Sequence, residues 1–391
     1  MRLTYASRRA WPALGGIESY LRLFADVLAA EHDVQVLSLQ VEDKGRSRLR
    51  AVYLGGRFQP FVADSGVRTD PLRLTATERV RIVPLVGRAL ARRVPRLGYV
   101  DRDYRRYGKV IGDVFARNAD RPDLLHVMNG GDFAAAGAHA SRVLGIPLVV
   151  TPSAHAGQWD DDELAGVAYR QTDLVIASGE ADARIYEGLG VASDRLAIVP
   201  PCTAPLPSGG GDALRRARGI DGPLVLFLGV RREYKGHDIL LAAAPLVTRD
   251  IPDAVFAFVG PGPALPTPPE GARVLDVGPV HEDVKAAWLE AADVLALPSA
   301  FESFGLAVAE AWSLGTPVVT SRAPALEELV QAAGGGRAVP REPRALAAAL
   351  VELLRDPAGA RALGAAGQAH WRAHHTPEAT AARLLDLYQR L

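Results

Sequence analysis

The chain has 391 residues, 48% of them hydrophobic and 23% charged, with 45 Lys and Arg against 45 Asp and Glu. Two or three domains are expected at that length, and the composition excludes collagen-like, coiled-coil and disordered chains. The balanced charge gives no sign of a nucleic-acid partner, so none is expected. A single cysteine, Cys202, rules out an intramolecular disulfide, and no four Cys or His residues stand at zinc spacing, so no metal site is expected. Behind the positive charges of Met1 to Arg9 there is no apolar run of signal-peptide type, and no uncharged apolar stretch reaches the roughly 18 residues of a membrane span. The expectation is a cytoplasmic protein, with the inner face of the membrane as the alternative location.

Short β-type runs alternate with helical patterns along most of the chain, which predicts the α/β class with doubly wound parallel sheets. In the first half the strands fall at about Arg2 to Tyr5, Asp33 to Leu39, Leu124 to Met128, Pro147 to Thr151, Leu174 to Ser178 and Leu196 to Pro200. Ile17, Tyr20, Leu21, Phe24 and Leu28 recur at helical spacing and predict a helix over Ile17 to Ala30. Gly15 and Gly16 join the first strand to that helix. Two glycines there let backbone N–H groups approach a phosphate, although a tight turn would use them equally well.

From Lys44 to Arg121 the chain carries 19 Lys and Arg against 7 Asp and Glu, and this basic span reads as an insertion in the first unit. Its centre, Thr75 to Arg96, mixes Val80, Ile82 and Val83 with Arg79, Arg81 and Arg92. Two readings stand: an amphipathic helix facing an anionic membrane or acceptor, and a solvated surface helix, with Pro84 expected to disturb it. His126 lies inside a strand and reads as a packed core histidine. Asp160-Asp161-Asp162 reads as a charge cluster at a helix N-terminus rather than a metal motif.

From Pro200 to Gly211 the chain is rich in Pro and Gly and reads as a linker. A second strand series follows at Leu224 to Gly229, Val255 to Val259, Val274 to Val277, Asp293 to Leu297 and Pro317 to Thr320. Two doubly wound units are expected, 1–202 and 203–375. Because parallel sheets bind ligands outside their strand C-termini, a cleft between the units is the expected site. Gly260-Pro261-Gly262-Pro263 lacks the third glycine of a dinucleotide fingerprint and reads as a turn.

The strongest constellation runs from Pro298 to Val319. A strand ends at Pro298, Glu302 sits in the following turn, and a helix is expected from near Phe304. The free N–H groups of Ser303, Phe304, Gly305 and Leu306, with the helix dipole, suit a phosphate oxygen, and Gly305 would let a ligand come close. Glu310 lies two turns into the helix among Val308, Ala309, Ala311 and Trp312. A carboxylate in so apolar a stretch calls for a specific partner, such as the paired hydroxyls of a ribose or pyranose.

Glu302 and Glu310, with Pro-Ser before them, Phe-Gly-Leu between and Gly-Thr-Pro-Val-Val after, resemble the E-x7-E signature of retaining GT-B glycosyltransferases of family 4. The segment from Gly229 to Gly236 is similar to that family's diphosphate-binding region, which opens on Gly-Arg and closes on Lys-Gly. Lys235 stands in register, while Val230 occupies the arginine position and leaves Arg231 or Arg232 to serve. Lysine is also scarce here, four against 41 arginines. Gly15 and Gly16 resemble the glycine-rich acceptor and phosphate loop, and Thr151-Pro152-Ser153-Ala154-His155 resembles the segment whose histidine contacts the transferred sugar. Glu328 stands where the family has a glutamate after a glycine pair, which is Pro324-Ala325 in this chain.

The resemblance covers 1–42 and 122–391. It implies the GT-B fold, two Rossmann-like domains facing a cleft, with the tail 376–391 crossing back to the first. It further implies Lys235 and Arg231 or Arg232 at the leaving diphosphate, Glu310 at the ribose, Glu302 and His155 at the donor sugar, and a nucleotide-sugar donor with no added cofactor. The acceptor would be a sugar or other glycoside, lipid-linked in one version. A nucleotide-sugar epimerase of the same fold and a non-catalytic sugar-nucleotide binder are the alternatives.

Overall fold

Apolar runs too short for helices and flanked by Gly, Pro or Asp become buried strands in the computed structural model, which describes residues 1–13, 15–41, 58–91, 101–154, 160–267 and 269–391. The chain divides into two units, Met1–Pro201 with Pro377–Leu391, and Cys202–Thr376.

The first unit runs β1 (Arg2–Arg9), α1 (Gly16–Leu28), β2 (Asp33–Gln40), β3 (Phe61–Val62), β4 (Arg68–Pro71), α2 (Ala76–Ala91), α3 (Asp101–Asn118), β5 (Leu124–Val127), α4 (Gly131–Leu144), β6 (Leu148–Val150), α5 (Glu163–Tyr169), β7 (Leu174–Ala177), α6 (Glu180–Gly188) and β8 (Leu196–Ile198). Its sheet has the order β3-β4-β2-β1-β5-β6-β7-β8. The pairings are parallel except for the β3–β4 edge.

The described part of the basic span is built into the sheet and core of the first unit. Its β4 pairs with β2, Gln35 opposite Arg68, and α3 buries Tyr107, Ile111, Val114 and Phe115 in the core of the unit. Ion pairs absorb part of the positive charge, Arg68 with Asp70 and Asp120, and Arg117 with Glu78 at 2.6 Å. Among the described residues, the elements of this span turn apolar side chains such as Ile82 and Tyr107 inward while Arg79, Arg81 and Arg106 lie at the surface or are partly exposed. Helix α2 also continues through Pro84. That residue faces solvent, where water can satisfy the Val80 carbonyl that its ring deprives of a partner.

The second unit runs α7 (Gly211–Arg218), β9 (Leu224–Leu228), α8 (His237–Thr248), β10 (Val255–Val259), β11 (Arg273–Gly278), α9 (Glu282–Ala291), β12 (Val294–Leu297), α10 (Leu306–Ser313), β13 (Val318–Ser321), α11 (Pro324–Ala333), β14 (Gly336–Val339), α12 (Pro343–Arg355) and α13 (Pro357–His374). The sheet order is β11-β10-β9-β12-β13-β14, all parallel, which is the Rossmann order with its switch point between β9 and β12. Alternate residues of β9 and β10 feed two cores. Leu224, Leu226 and Val255 meet Trp288 and Trp312 on one face, while Val225, Phe227, Phe256 and Phe258 meet Leu240 and Leu350 on the other. Each such side chain contributes roughly 1.5–3 kcal/mol by leaving water.

The chain then returns to the first unit as α14 (Pro377–Tyr388), lying against α1. Tyr388 Oη is 2.6 Å from His126 Nδ1 and 3.2 Å from Tyr5 Oη, and His126 Nε2 is 2.8 Å from Thr151 Oγ1. Burial pushes His126 down to about 3, so the imidazole is neutral.

Candidate active site

At the C-terminal ends of β9 and β12, two loops flank the switch point of the second sheet. The first, residues 229–236, ends in a 3₁₀ turn carrying Lys235. Gly236 follows with φ of 75°, and a Cβ there would lie 2.1 Å from the Pro298 carbonyl oxygen, so only glycine lets this loop lie on the end of β12. Ala300 N donates to Tyr234 O at 2.6 Å, and Arg341 donates to the carbonyls of Glu233 and Pro298, which stitches the two loops together.

Within this frame Lys235 Nζ lies 2.6 Å from Glu302 Oε1, and Ser299 Oγ donates to the same oxygen at 2.8 Å. The Glu302 side chain is 8% exposed and that of Lys235 is 20% exposed. The two groups singled out by sequence are thus in direct contact, through an interaction strengthened by its partial removal from water.

The two arginines part company. Arg231 is buried, ion-paired with Asp276 on β11 and bonded to the Gly262 carbonyl, so its guanidinium is committed inside the fold. Burial opposes ionisation of Asp276, yet the Leu265 amide and Arg231 together hold its carboxyl below the usual range. Arg232 is exposed. The turn at Gly260-Pro261-Gly262 closes over this loop, with Arg231 N donating to Pro261 O at 2.8 Å.

Helix α10 begins at Leu306, two residues later than expected, which leaves the first-turn amides of Leu306 and Ala307 at its N-terminus and places Ser303 and Phe304 in the preceding turn. Gly305 caps it at φ of 102°, but a Cβ there would meet Leu326 at 2.6 Å. The glycine is required by the conformation and by packing against α11. Phe304 is buried against the His375 ring at 5.1 Å.

Glu310 has a partner that the sequence reading missed. Lys285 on α9 places Nζ 2.8 Å from Glu310 Oε1 and 2.6 Å from Glu282 Oε2. Burial raises the Glu310 pKa, and Lys285 works against that rise. Burial would by itself lower the pKa of Lys285, but Glu310 and Glu282 more than offset it and leave it raised. The scarcity of lysine that marked Lys235 applies equally to Lys285 and was the available signal.

In the first unit Gly15 caps α1 in extended conformation, and the Glu18 carboxylate folds over it, paired with Arg9 at 3.1 Å. Gly16 opens the helix. Thr151 is buried at the end of β6, and His155 lies outside the described residues. Asp162 caps α5, accepting from Ala165 N at 3.0 Å, as a helix-terminal charge should. Pro324 occupies the first turn of α11, and Glu328 lies on that helix. Among the described residues no group of three His, Cys, Asp or Glu is placed to hold a metal ion.

The chain matches two family profiles, Glycosyl transferase 4-like domain over residues 15–202 and Glycosyl transferases group 1 over residues 222–356. It is 35% identical over 240 residues to D-inositol 3-phosphate glycosyltransferase of Xylanimonas cellulosilytica, a match covering 56% of this chain and 57% of that protein. It is 29% identical over 388 residues to D-inositol 3-phosphate glycosyltransferase 1 of Catenulispora acidiphila, covering 89% and 91%. The crystal structure of Anabaena Alr3699/HepE in complex with UDP superposes with a TM-score of 0.72 at 17% identity over 100% of both chains. At that identity the likeness is one of fold, the GT-B class of two parallel-sheet α/β domains. With both domain profiles in order and the paired glutamates eight residues apart after β12, the chain belongs to the group 1, family-4-like glycosyltransferases.

Proposed function

We propose that the chain transfers a hexose-like sugar from a nucleotide-diphosphate donor to an acceptor hydroxyl with retention at the anomeric carbon. The observation that carries this reading is the Lys235–Glu302 contact at the switch point, with Glu310 about one turn along the next helix. Lys235, the exposed Arg232 and the α10 amides supply positive field for a leaving diphosphate, and Arg231 supports the loop from inside. In this reading the bond from the anomeric carbon to the phosphate oxygen breaks as the acceptor oxygen bonds on the same face, and the leaving phosphate takes the acceptor proton. Glu302 stabilises the charge that gathers on the ring, and no divalent metal is needed. His155 serves the transferred sugar, and Gly15 and Gly16 line the acceptor side.

The test is incubation of the purified protein with a panel of UDP- and GDP-sugars, with D-inositol 3-phosphate among the acceptors. Donor-dependent formation of a new glycoside supports transfer; a rearranged nucleotide sugar without acceptor would identify an epimerase, and tight binding without turnover a binding protein.

A lipid-facing role for α2 rests on its exposed Val80 and Val83 beside Arg81, with Ile82 turned inward. Among the described residues no helix is long and apolar enough to cross a membrane. Salt-sensitive flotation with anionic but not neutral vesicles is the expected outcome, and equal recovery with both would remove the idea.

A further inference from the structure

We infer that Lys285 is a positioning residue that sets ribose recognition, by holding the Glu310 carboxylate through one oxygen and keeping the other available to the paired sugar hydroxyls. This rests on the reading above that Glu310 meets the ribose. Three observations lead to it. Among the described residues, the hydrogen bond to the Glu310 carboxylate comes from Lys285 Nζ and engages Oε1. The second carboxylate on the same ammonium, Glu282, is 74% exposed, so solvent weakens that bond, whereas Lys285 is 14% exposed and Glu310 21% exposed. Lysine is also the exception in this chain, four residues against 41 arginines, so a lysine at a carboxylate marks a place where the default cation does not serve.

The chemical reason lies in the shapes of the two cations. A guanidinium is a planar fork that takes both oxygens of a carboxylate at once, while an ammonium is a point charge that takes one. An arginine at 285 would satisfy Glu310 and close it to a ligand. A lysine opposes the effect of burial on Glu310, which favours its charged, accepting form, while leaving Oε2 uncovered. The charge on α9 therefore acts on the nucleotide through α10.

The experiment is calorimetric titration of UDP, GDP and their 2′-deoxy counterparts into wild type, Lys285→Arg, Lys285→Met, Glu310→Gln and the double variant Lys285→Met with Glu310→Gln. The double variant removes both charges together and guards against misfolding from one orphaned carboxylate; thermal melting checks each protein. Wild type should prefer the ribonucleotide about tenfold, the effect of one hydrogen bond to a charged group. Lys285→Arg and Lys285→Met should both bring that preference close to unity, and the double variant should bind no more weakly than Glu310→Gln alone. A merely structural ion pair would be rescued by arginine, so wild-type preference in Lys285→Arg overturns the inference, as do losses that add in the double variant. If Glu310→Gln keeps the full preference, the assignment of Glu310 to the ribose fails first, and the role of Lys285 fails with it. Absence of binding by both nucleotides would reject the nucleotide-sugar reading as a whole.

Discussion

A diphosphate arriving beside Lys235 must share its ammonium with Glu302 Oε1, 2.6 Å away, so the two glutamates of the site start from different positions. In the mechanism proposed above, Glu302 gains freedom as the ligand draws Lys235 toward itself, and its charge then counts most where the sugar ring becomes cationic. Glu310, paired with Lys285, would in the same mechanism contribute equally before and during reaction. Glu302→Gln should therefore mainly lower kcat, while Glu310→Gln should raise the donor KM by about 10- to 100-fold, equivalent to roughly 1.5–3 kcal/mol. Steady-state kinetics with the donor identified by the panel decides, and wild-type values for both variants would strip the carboxylates of their roles. Glu302 and Glu310 were singled out by their place after a strand and by resemblance to the family motif, and Lys235 by resemblance and by the scarcity of lysine, while the contact between Lys235 and Glu302 was not foreseen. The commitment of Arg231 to Asp276 was not legible either, since Arg231 lies in the loop after β9 and Asp276 on β11, and only the sheet order brings them together. Lys285 escaped for a similar reason, its partner being on the following helix.

At the scale of elements, the site depends on how closely the 229–236 loop lies on the end of β12. Gly236→Ala should cost about 1–3 kcal/mol in stability, through strain at φ of 75° and the clash with the Pro298 carbonyl, and should raise the donor KM by displacing Lys235. Gly334→Ala is the control. It shares a positive φ of 62° but meets nothing within 4 Å, so it should cost about 1–2 kcal/mol and leave KM unchanged. The first turn of α10 carries a second expectation: with Lys235 and Arg232 it should support transfer without a divalent cation, so full activity should survive EDTA. Loss on chelation, restored by Mg2+ or Mn2+, would reject this.

Elements with continuous apolar runs, such as Leu224–Leu228 and Val255–Val259, were readable almost to the residue. Short edge elements were not. β3 has two residues, β4 contains Arg68 and Asp70, and β14 opens on Gly336, so each takes its conformation from a neighbouring strand rather than from its own pattern. Helix α3 was hidden by its charges, although Tyr107, Ile111, Val114 and Phe115 recur at helical spacing.

For the molecule as a whole, the buried chain Tyr5–Tyr388–His126–Thr151 ties residues distant in sequence into one pH-dependent unit. His126 stays neutral in the folded state down to about 3, against an ordinary value near 6.5, so the unfolded chain takes up its proton first. The stability it contributes is complete above about 6.5 and declines as pH falls toward 3. Asp160 and Asp182, each pushed up to about 6 by burial, act in the opposite sense and gain stability as pH falls through 6. The effect of His126 is therefore read as a difference: between pH 7 and 5, wild type should lose about 2 kcal/mol more than His126→Gln in denaturant unfolding. Parallel pH profiles for the two proteins would refute it.

The chain leaves the first unit after Pro201 and re-enters it at Pro377, which fixes a schedule during synthesis. Tyr5 and His126 leave the ribosome early, but Tyr388, which bonds both, comes last, after the whole of the second unit. At about 5–20 residues per second, the first sheet waits for its closing helix while the continuous Cys202–Thr376 segment has everything it needs. The half made second is thus the half able to finish first, and a nascent chain cut short within α14 would carry a complete second unit joined to a first unit whose central tyrosine and histidine still lack their partner.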